Sequence, residues 1–208
     1  GGESLPDAEV AAADPVCIVY TGGSTSMPKG VLVSHLYYIA AAVRYAEIAE
    51  ATEDDVHYAN SHFFHIGGQQ FAVTSPLYNG MTGIMDKWFS ASNYWNIVHK
   101  YGASVIDPLG TMMAVLLRRP ESDLDKTHKV RVGVGIASSQ VRKDLRDEFE
   151  ARFGAPMLEV YSMTEMGVLM CSERLHDRRS GSCGRPHGWA EVLVVDADDN
   201  PVPPNTQG

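Results

Sequence analysis

The chain has 208 residues, of which 44% are hydrophobic and 21% are charged, a composition typical of a soluble globular chain of one or two domains. Its net charge of -9, without a visible basic patch or stripe, argues against a nucleic-acid binder. Three cysteines (Cys17, Cys171 and Cys183) without a C-x-x-C pair argue against a disulfide framework and favour a reducing cytoplasm. No apolar run reaches membrane-spanning length, and no signal-peptide pattern is visible.

Short apolar runs that predict strands alternate with longer amphipathic runs that predict helices. The strand candidates are Val16–Tyr20, Val56–Asn60, Met81–Met85, Ala103–Ile106, Val130–Ile136, Met157–Tyr161 and Val192–Val195. The helix candidates are Ser34 to about Glu50, Gly68 to Tyr78, Ser92 to Tyr101, Leu109 to Arg118 and Ser139 to Phe153. This alternation predicts an α/β fold with a mostly parallel sheet flanked by helices. The turn-rich run Asp196–Asn205 predicts a hairpin or a linker.

A run rich in glycine and hydroxyl groups follows the first strand candidate: Tyr20-Thr21-Gly22-Gly23-Ser24-Thr25-Ser26-Met27-Pro28-Lys29-Gly30. Glycines let backbone N–H groups point into one concavity, hydroxyls add donors, and Lys29 adds a positive charge. The run therefore predicts a phosphate cradle, although its composition alone is equally typical of a flexible surface loop. It is not a Walker A loop, because the chain contains no Gly-Lys pair, and this argues against an ordinary P-loop phosphotransferase.

The order of residues in this run resembles the phosphate-binding signature of the adenylate-forming superfamily, from which only Gly22 and Ser26 depart. A second run, Tyr161-Ser162-Met163-Thr164-Glu165, resembles the Tyr-Gly-x-Thr-Glu motif of that superfamily, with Ser162 in place of glycine. The two motifs occur in the order that the superfamily shows. By itself, Thr164-x-x-Gly167 is also typical of a helix start with Glu165 in its first turn.

The resemblance implies an ATP-dependent acyl-CoA ligase. In that reaction a small carboxylic acid attacks the α-phosphate of ATP to give an acyl-adenylate and pyrophosphate, and the thiol of CoA then attacks the activated carbonyl. ATP, Mg²⁺ and CoA are therefore the implied cofactors and co-substrate. The residues implied to bind the nucleotide phosphates are Thr21, Gly22, Gly23, Ser24, Thr25, Lys29 and Thr164. Lys29, Thr164 and Glu165 are implied to be catalytic, with Glu165 coordinating Mg²⁺ and Tyr161 stacking on adenine.

Two weaker matches extend the implied site toward the acyl substrate. Gly135 and Ala137 fit part of a Gly-Gly-Ala-Pro-Leu region that lines the nucleotide and acyl pockets. Phe63–Gly68 resembles the aromatic-His-x-x-Gly segment of acyl-CoA synthetases, and this implies that His65 lies near the substrate. Gly135 and Ser162 are implied to lie near the substrate as well. This histidine favours a CoA ligase over an adenylation domain that loads a carrier protein.

Simpler structural roles remain open for these residues. His65 could be a helix-start histidine packed on the sheet, and Tyr161 could be an aromatic residue that fills the core at a strand end. The pair His62-x-x-His65 has no second ligand pair, which argues against a zinc site.

The resemblance covers residues 1–208, which correspond to a partial AMP-binding core domain without the N-terminal segment and the C-terminal lid of the superfamily. Residues 181–208 are expected to begin a separate β-rich subdomain. Because the lid lysine that contacts the reacting carboxylate has no counterpart here, we expect the chain alone to be inactive, and exposed apolar surface to favour self-association. The alternative is a nucleotide-binding module without catalysis, for which Ser26 and Ser162 in place of glycines provide some support.

Overall fold

The computed structural model of the chain describes residues 9–23, 26–136, 142, 144–167 and 169–208. Its first two strands, β1 (Pro15–Gly23) and β2 (Ser26–Ser34), form an antiparallel ribbon in which Tyr20 pairs with Gly30 and Thr21 with Lys29. Much of the Gly-rich run is therefore extended strand. The sequence analysis missed β2, because Gly, Ser and Pro at its start hide the alternating pattern that marks a strand.

The second sheet confirms the predicted α/β fold. Its strands are β3 (Val56–Ala59), β4 (Thr82–Met85), β5 (Val105–Ile106), β6 (Val132–Ile136), β7 (Met157–Tyr161), β8 (Cys171–Ser172) and β9 (Arg185–Pro186). Their spatial order is β4-β3-β5-β6-β7-β8-β9. The first five strands are parallel, whereas β8 and β9 pair antiparallel at one end. The sequence analysis missed these two strands, which are too short to show a period.

The helices follow most of the predicted ranges. They are α1 (His35–Ala49), α2 (Ile66–Gln69), a π-helical turn (Gln70–Thr74), α3 (Ser75–Asn79), α4 (Tyr94–Tyr101), α5 (Gly110–Leu117), a 3-10 turn (Asp123–Asp125) and α6 (Leu145–Phe153). Ser34 caps α1 as predicted, since its side chain accepts a hydrogen bond from the Tyr37 N–H.

The start of α6 differs from the prediction. The helix begins at Leu145 rather than at Ser139, and residues 137–141 and 143 lie outside the described residues. Leu145, Phe149 and Phe153 keep the apolar spacing that predicted the helix, whereas Val141, which begins that spacing, lies outside the described residues. Its end is as predicted, because Gly154 adopts a left-handed conformation with φ of 71°.

Helices cover both faces of the main sheet. One hydrophobic cluster packs α4, α5 and α6 against Tyr58 and Ile106, and a second packs α1 and the π turn against Val105 and Val132. Ile106 and its neighbour Val105 belong to opposite clusters, as alternation along a strand requires. Because both faces are covered, ligands have access only at the edges of the sheet.

The C-terminal residues differ from the prediction in one element. Val192–Val195 does not form a strand: Val192, Leu193 and Val194 are exposed, and only an isolated bridge joins Val195 to Pro201. An apolar run predicts a strand only where another strand pairs with it, and the described residues provide only that bridge. The Asp196 N–H donates to the Asn200 carbonyl at 2.9 Å, so the chain reverses here, as the turn-rich run predicts. That residues 181–208 begin a subdomain stays a prediction.

Candidate functional site

A cavity of about 580 Å³ lies at the carboxyl edge of the parallel strands. The strand order changes direction between β3 and β5, because β4 was added on one side of β3 and β5 on the other. Such a switch point leaves a crevice at the carboxyl ends of the strands, where α/β proteins bind ligands. Ser61 and Leu109, which follow β3 and β5 closely, and Ser162, which follows β7, all line this cavity.

The cavity brings together residues from both predicted motifs. Seven predicted site residues line it: Thr21, Gly22, Lys29, His65, Ser162, Thr164 and Glu165. The alternation of β1 explains the hairpin contribution, since Thr21 lies on the same face as Cys17 and Val19. That face packs toward α1 and α2, so the end of the hairpin reaches the edge of the sheet.

Five predicted positions lie either outside the described residues or away from the cavity. Ser24, Thr25 and Ala137 lie outside the described residues, and Gly23 ends β1, where it pairs with Ser26. Gly135 is buried in β6 and is not among the cavity-lining residues: a Cβ atom there would lie 3.0 Å from Met157 Cε and 3.3 Å from the Pro108 carbonyl oxygen.

Tyr161 also lies outside the set of cavity-lining residues that the structure describes. It is 47% exposed at the end of β7, and its hydroxyl lies 3.6 Å from Met163 Sδ. The exposure shows that its ring does not fill the core. An exposed aromatic face beside the cavity mouth has the chemistry needed to stack on a planar ligand.

Lys29 and Glu165 are the two charged residues among the described residues that line the cavity. Both are exposed, and neither takes part in a salt bridge with another described residue. Thr21 lies beside Lys29 through strand pairing, and its Oγ1 donates to the Lys29 carbonyl at 3.4 Å. A cation, hydroxyl groups and a carboxylate around one cavity can bind a phosphate group together with a hard divalent cation.

Thr164 and Glu165 lie in a turn. The N–H groups of Met166 and Gly167 both point to the Met163 carbonyl, at 3.1 and 3.4 Å, and the described part of this segment forms no helix. The alternative of a helix start at Thr164 is therefore not what these residues adopt. No cluster of three or more His, Cys, Asp or Glu side chains suited to a metal occurs among residues that the structure describes.

His65 combines the two roles that the sequence left open. It caps α2, where its Nδ1 accepts a hydrogen bond from the Gly67 N–H at 3.0 Å, and its ring also faces the cavity. Nearby protein atoms desolvate the imidazole and lower its pKa, which favours a neutral ring with its proton on Nε2. The segment fits tightly, because a Cβ atom at Gly68 would lie 2.2 Å from the His62 carbonyl oxygen.

The apolar wall of the cavity was missed by the sequence analysis. Met27 lies in β2, and the other members lie in loops or helices near strand ends or in the π turn: Phe64, Ile66, Phe71, Leu109, Met112, Met163 and Leu169. Met27, Phe64, Ile66 and Met163 lie within the motif runs, but Phe71, Leu109, Met112 and Leu169 are scattered apolar residues that carry no motif. The only signal for Leu109 was its place just after a parallel strand.

A buried polar pair lies at the switch point. Asp107 follows β5, and its Oδ1 accepts a hydrogen bond from the Asn60 N–H at 3.0 Å. Burial raises the pKa of Asp107 to about 8, although the hydrogen bond from Asn60 opposes the shift. The carboxyl group is therefore largely protonated at neutral pH, and the loops after β3 and β5 are held together without a buried charge.

Comparison with known proteins adds a family match. A model of the family "AMP-binding enzyme" matches residues 2–208. Long-chain fatty acid transport protein 1 of Mus musculus is 34% identical over 174 residues, which cover 82% of this chain and 26% of that protein. The crotonobetaine/carnitine–CoA ligase of Citrobacter koseri is 33% identical over 192 residues, covering 91% of this chain and 37% of the ligase. The chain thus spans well under half the length of these relatives.

Solved structures share the fold. The anthranilate CoA ligase AuaEII, in complex with anthranoyl-AMP, superposes with a TM-score of 0.85 at 23% identity, over 96% of this chain and 39% of that one. A benzoate CoA ligase from Burkholderia xenovorans LB400 gives a TM-score of 0.83 at 23% identity. At this level of identity the likeness shows the fold alone. No helix among the described residues is long and apolar enough to cross a membrane.

Proposed function

Because this chain belongs to the AMP-binding enzyme family, we propose that it is the ATP-phosphate-binding part of an AMP-forming ligase that joins a carboxylic acid to CoA. The observation that carries the proposal is the single cavity lined by both Lys29 and the Thr164–Glu165 turn. These residues are far apart in sequence, and a cation, a hydroxyl and a carboxylate around one space suit a nucleotide polyphosphate with its metal ion.

In the proposed reaction, Lys29 and Thr21 bind the β- and γ-phosphates and stabilise the charge that develops on the leaving pyrophosphate. The hydroxyl of Thr164 donates to a phosphate oxygen. Glu165 would hold Mg²⁺, which binds through one or two carboxylates and the substrate phosphates, and which neutralises phosphate charge when bound. The exposed ring of Tyr161 would stack on adenine at the cavity mouth.

The acid occupies the apolar part of the cavity. Phe71, Leu109 and Met112 line that part, and His65 and Ser162 supply polar groups near the reacting carboxylate. Gly135 would contribute indirectly, because its lack of a Cβ atom lets Met157 and the Pro108 carbonyl pack closely against β6 beside the cavity. A small carboxylic acid fits this combination, and CoA is the thiol acceptor we propose. We also propose a cytoplasmic location, based on three free cysteines.

We propose further that the chain binds ATP but does not turn it over by itself. It spans 26% to 37% of the two relatives named above, and the reaction needs a lysine from a closing domain that these residues do not supply. Apolar side chains on the outer face of the hairpin, including Ile18 and Leu32, are exposed, so the chain should self-associate. Sedimentation as a clean monomer would contradict this part of the proposal.

The test is calorimetric titration of Mg·ATP into the chain, with Lys29→Ala and Glu165→Ala beside the wild type. Each substitution should weaken binding about 10- to 100-fold, since hydrogen bonds to charged groups contribute about 1.5–3 kcal/mol. Lys100→Ala is the matched control, because Lys100 is exposed on α4 and lies over the Tyr101 ring instead. Its binding should equal that of the wild type.

A second assay separates the ligase from a nucleotide-binding module without catalysis. The full-length protein that contains this chain should exchange pyrophosphate into ATP only when a carboxylic acid is present. Binding of Mg·ATP without exchange would favour the module. Acid-dependent exchange by the full-length protein without binding by the chain would mean that flanking residues complete the site, and the absence of both would refute the ligase.

A further inference from the structure

Tyr37 connects the hairpin side of the cavity to the turn that carries Thr164 and Glu165. It lies in the first turn of α1, where its N–H donates to Ser34 Oγ at 3.2 Å. Ser34 is the last residue of β2, the strand that carries Lys29. At the other end of the side chain, the Tyr37 hydroxyl donates to the Thr164 carbonyl oxygen at 3.0 Å. One residue thus links the end of the strand that carries Lys29 to the turn that carries Thr164 and Glu165.

The ring of Tyr37 holds the same turn at a second point. Gly167 adopts a positive φ of 84°, and a Cβ atom there would lie 2.8 Å from both Cδ2 and Cε2 of Tyr37. The ring therefore packs directly against the Gly167 backbone. With the hydroxyl on Thr164 and the ring on Gly167, both ends of the turn rest on one side chain. A turn held at two points can keep the Glu165 carboxylate in one direction.

The surroundings keep this hydroxyl protonated. Burial raises the pKa of Tyr37 to about 12, the nearby Gln70 side chain opposes the shift, and the charge of Glu165 adds to it. The hydroxyl is therefore a donor throughout the neutral pH range.

We propose that Tyr37 is a positioning residue that fixes the Thr164–Glu165 turn relative to Lys29, so that both charged side chains meet one nucleotide polyphosphate. The proposal rests on the function proposed above. Tyr37 does not itself contact the phosphates or the metal. Its effect reaches the ligand through the carbonyl of Thr164 and the backbone of Gly167. Its removal should therefore weaken the use of Mg·ATP and leave the binding of the carboxylic acid unchanged.

The test is Tyr37→Phe in the full-length protein, with acid-dependent pyrophosphate exchange as the readout. Phenylalanine keeps the ring against Gly167 and removes only the hydroxyl. We expect the KM for Mg·ATP to rise about threefold to tenfold, the range that corresponds to loss of one net hydrogen bond. The Mg²⁺ concentration for half-maximal rate should rise as well, while the KM for the acid stays within about twofold. These concentrations separate positioning from misfolding, because a uniform loss of folded protein lowers the total rate without changing either KM.

Tyr38→Phe is the matched control. Tyr38 is the next residue of α1, but its hydroxyl contacts Gln69 and Cys17 rather than the Thr164 turn. Gly167→Ala provides a second test, since it should displace the ring and raise the KM for Mg·ATP in the same way. Values for Tyr37→Phe equal to those of the wild type or of Tyr38→Phe would overturn the positioning role alone. A wild-type protein without acid-dependent exchange would instead overturn the proposed function, and the positioning role with it.

Discussion

Replacement of Arg131 by Met should destabilise the fold by breaking a buried ion pair. Asp55 precedes β3 and is buried, and its carboxylate accepts from Arg131 Nε at 2.9 Å and from Nη2 at 2.5 Å. The same guanidinium donates to the carbonyl oxygens of Ala49 and Glu50 at the end of α1, at 2.7 and 3.1 Å. Arg131 therefore ties the end of α1 to the start of β3 from the loop before β6.

The expected cost is about 3 kcal/mol. Removal of one partner from a buried pair costs roughly 3–5 kcal/mol, because it leaves the other charge unpaired in a poorly solvated site. We take the low end of this range for two reasons. The Arg131 side chain is 34% exposed, so solvent already screens it, and Asp55 keeps the Ser104 hydroxyl at 2.6 Å and the Thr52 N–H at 2.9 Å. For a chain of this size, about 3 kcal/mol corresponds to a fall in Tm of roughly 6–12 °C.

Urea and thermal unfolding at pH 7 measure this change, with Arg142→Met as the control. Arg142 pairs with Asp144 and Glu148, but all three side chains are about half exposed, so its loss should cost less than about 1 kcal/mol. If Arg131→Met and Arg142→Met had equal free energies of unfolding, the buried pair would contribute no more than a surface pair, and the reasoning would be wrong.

The same pair predicts a pH dependence. Burial alone would raise the pKa of Asp55, but the hydrogen bonds from Arg131, Ser104 and Thr52 lower it to about 2. Because the pKa in the folded state lies below the ordinary value, this group stabilises the fold above about pH 4, and the contribution is lost as the pH falls toward 2. Arg131→Met raises this pKa, so that variant should show less of the stability loss caused by acid between pH 4 and 2.

Two further predictions concern the cavity edge. Burial raises the pKa of Asp107 to about 8. Between about pH 4 and 8 the folded state therefore keeps a proton that the unfolded state has lost. Because the folded state binds more protons, stability falls as the pH rises through that window. Asp107→Asn should therefore gain stability relative to the wild type by about 1.4 kcal/mol per pH unit between pH 5 and 7, measured by urea unfolding; a difference that did not change with pH would contradict it. His57, whose pKa burial lowers to about 4, contributes equally to both proteins and cancels. Gly68→Ala should lower stability by about 1–3 kcal/mol in thermal unfolding, because its Cβ would overlap the His62 carbonyl oxygen. Gly188→Ala is the control and should not lower stability, because the space around Gly188 is open. Similar Tm values for the two variants would show that the loop at Gly68 relaxes freely.

The parts of the fold that the sequence could predict are those with a strong period. Helix α1 and the parallel strands of the main sheet each combine an apolar pattern with a turn or cap signal. The end of α6 at Gly154 was also predicted, from the Gly-x-Pro spacing. Strands such as β8 and β9 have two residues each, and only their partners make them strands. Val192–Val195 is the opposite case, since its local pattern was right for a strand but no strand within the described part of the chain pairs along it.

For the site, the sequence predicted several of the residues that share the cavity but not the cavity's apolar wall. The family resemblance drawn from two motifs is confirmed by the family match, and residues of both motifs line one cavity. The apolar wall could not be predicted, because residues such as Phe71 and Met112 meet only through the topology of the sheet. Tyr37 was missed for the same reason: its partner Thr164 is 127 residues away, and no local spacing connects them.

The hairpin shows why such a connection is needed. The sheet order places the turn after β7 at the carboxyl edge, but the ribbon of β1 and β2 forms a separate sheet and is not fixed by that order. A small cluster formed by Val19, Val33 and Ile66 packs the ribbon against the start of α2, and the Ser34 cap joins it to α1. Since Lys29 belongs to the ribbon, its distance from the Thr164 turn depends on these few contacts and on Tyr37. Substitutions in α1 should therefore change ATP use more than equally buried substitutions in α4, which packs in the other hydrophobic cluster.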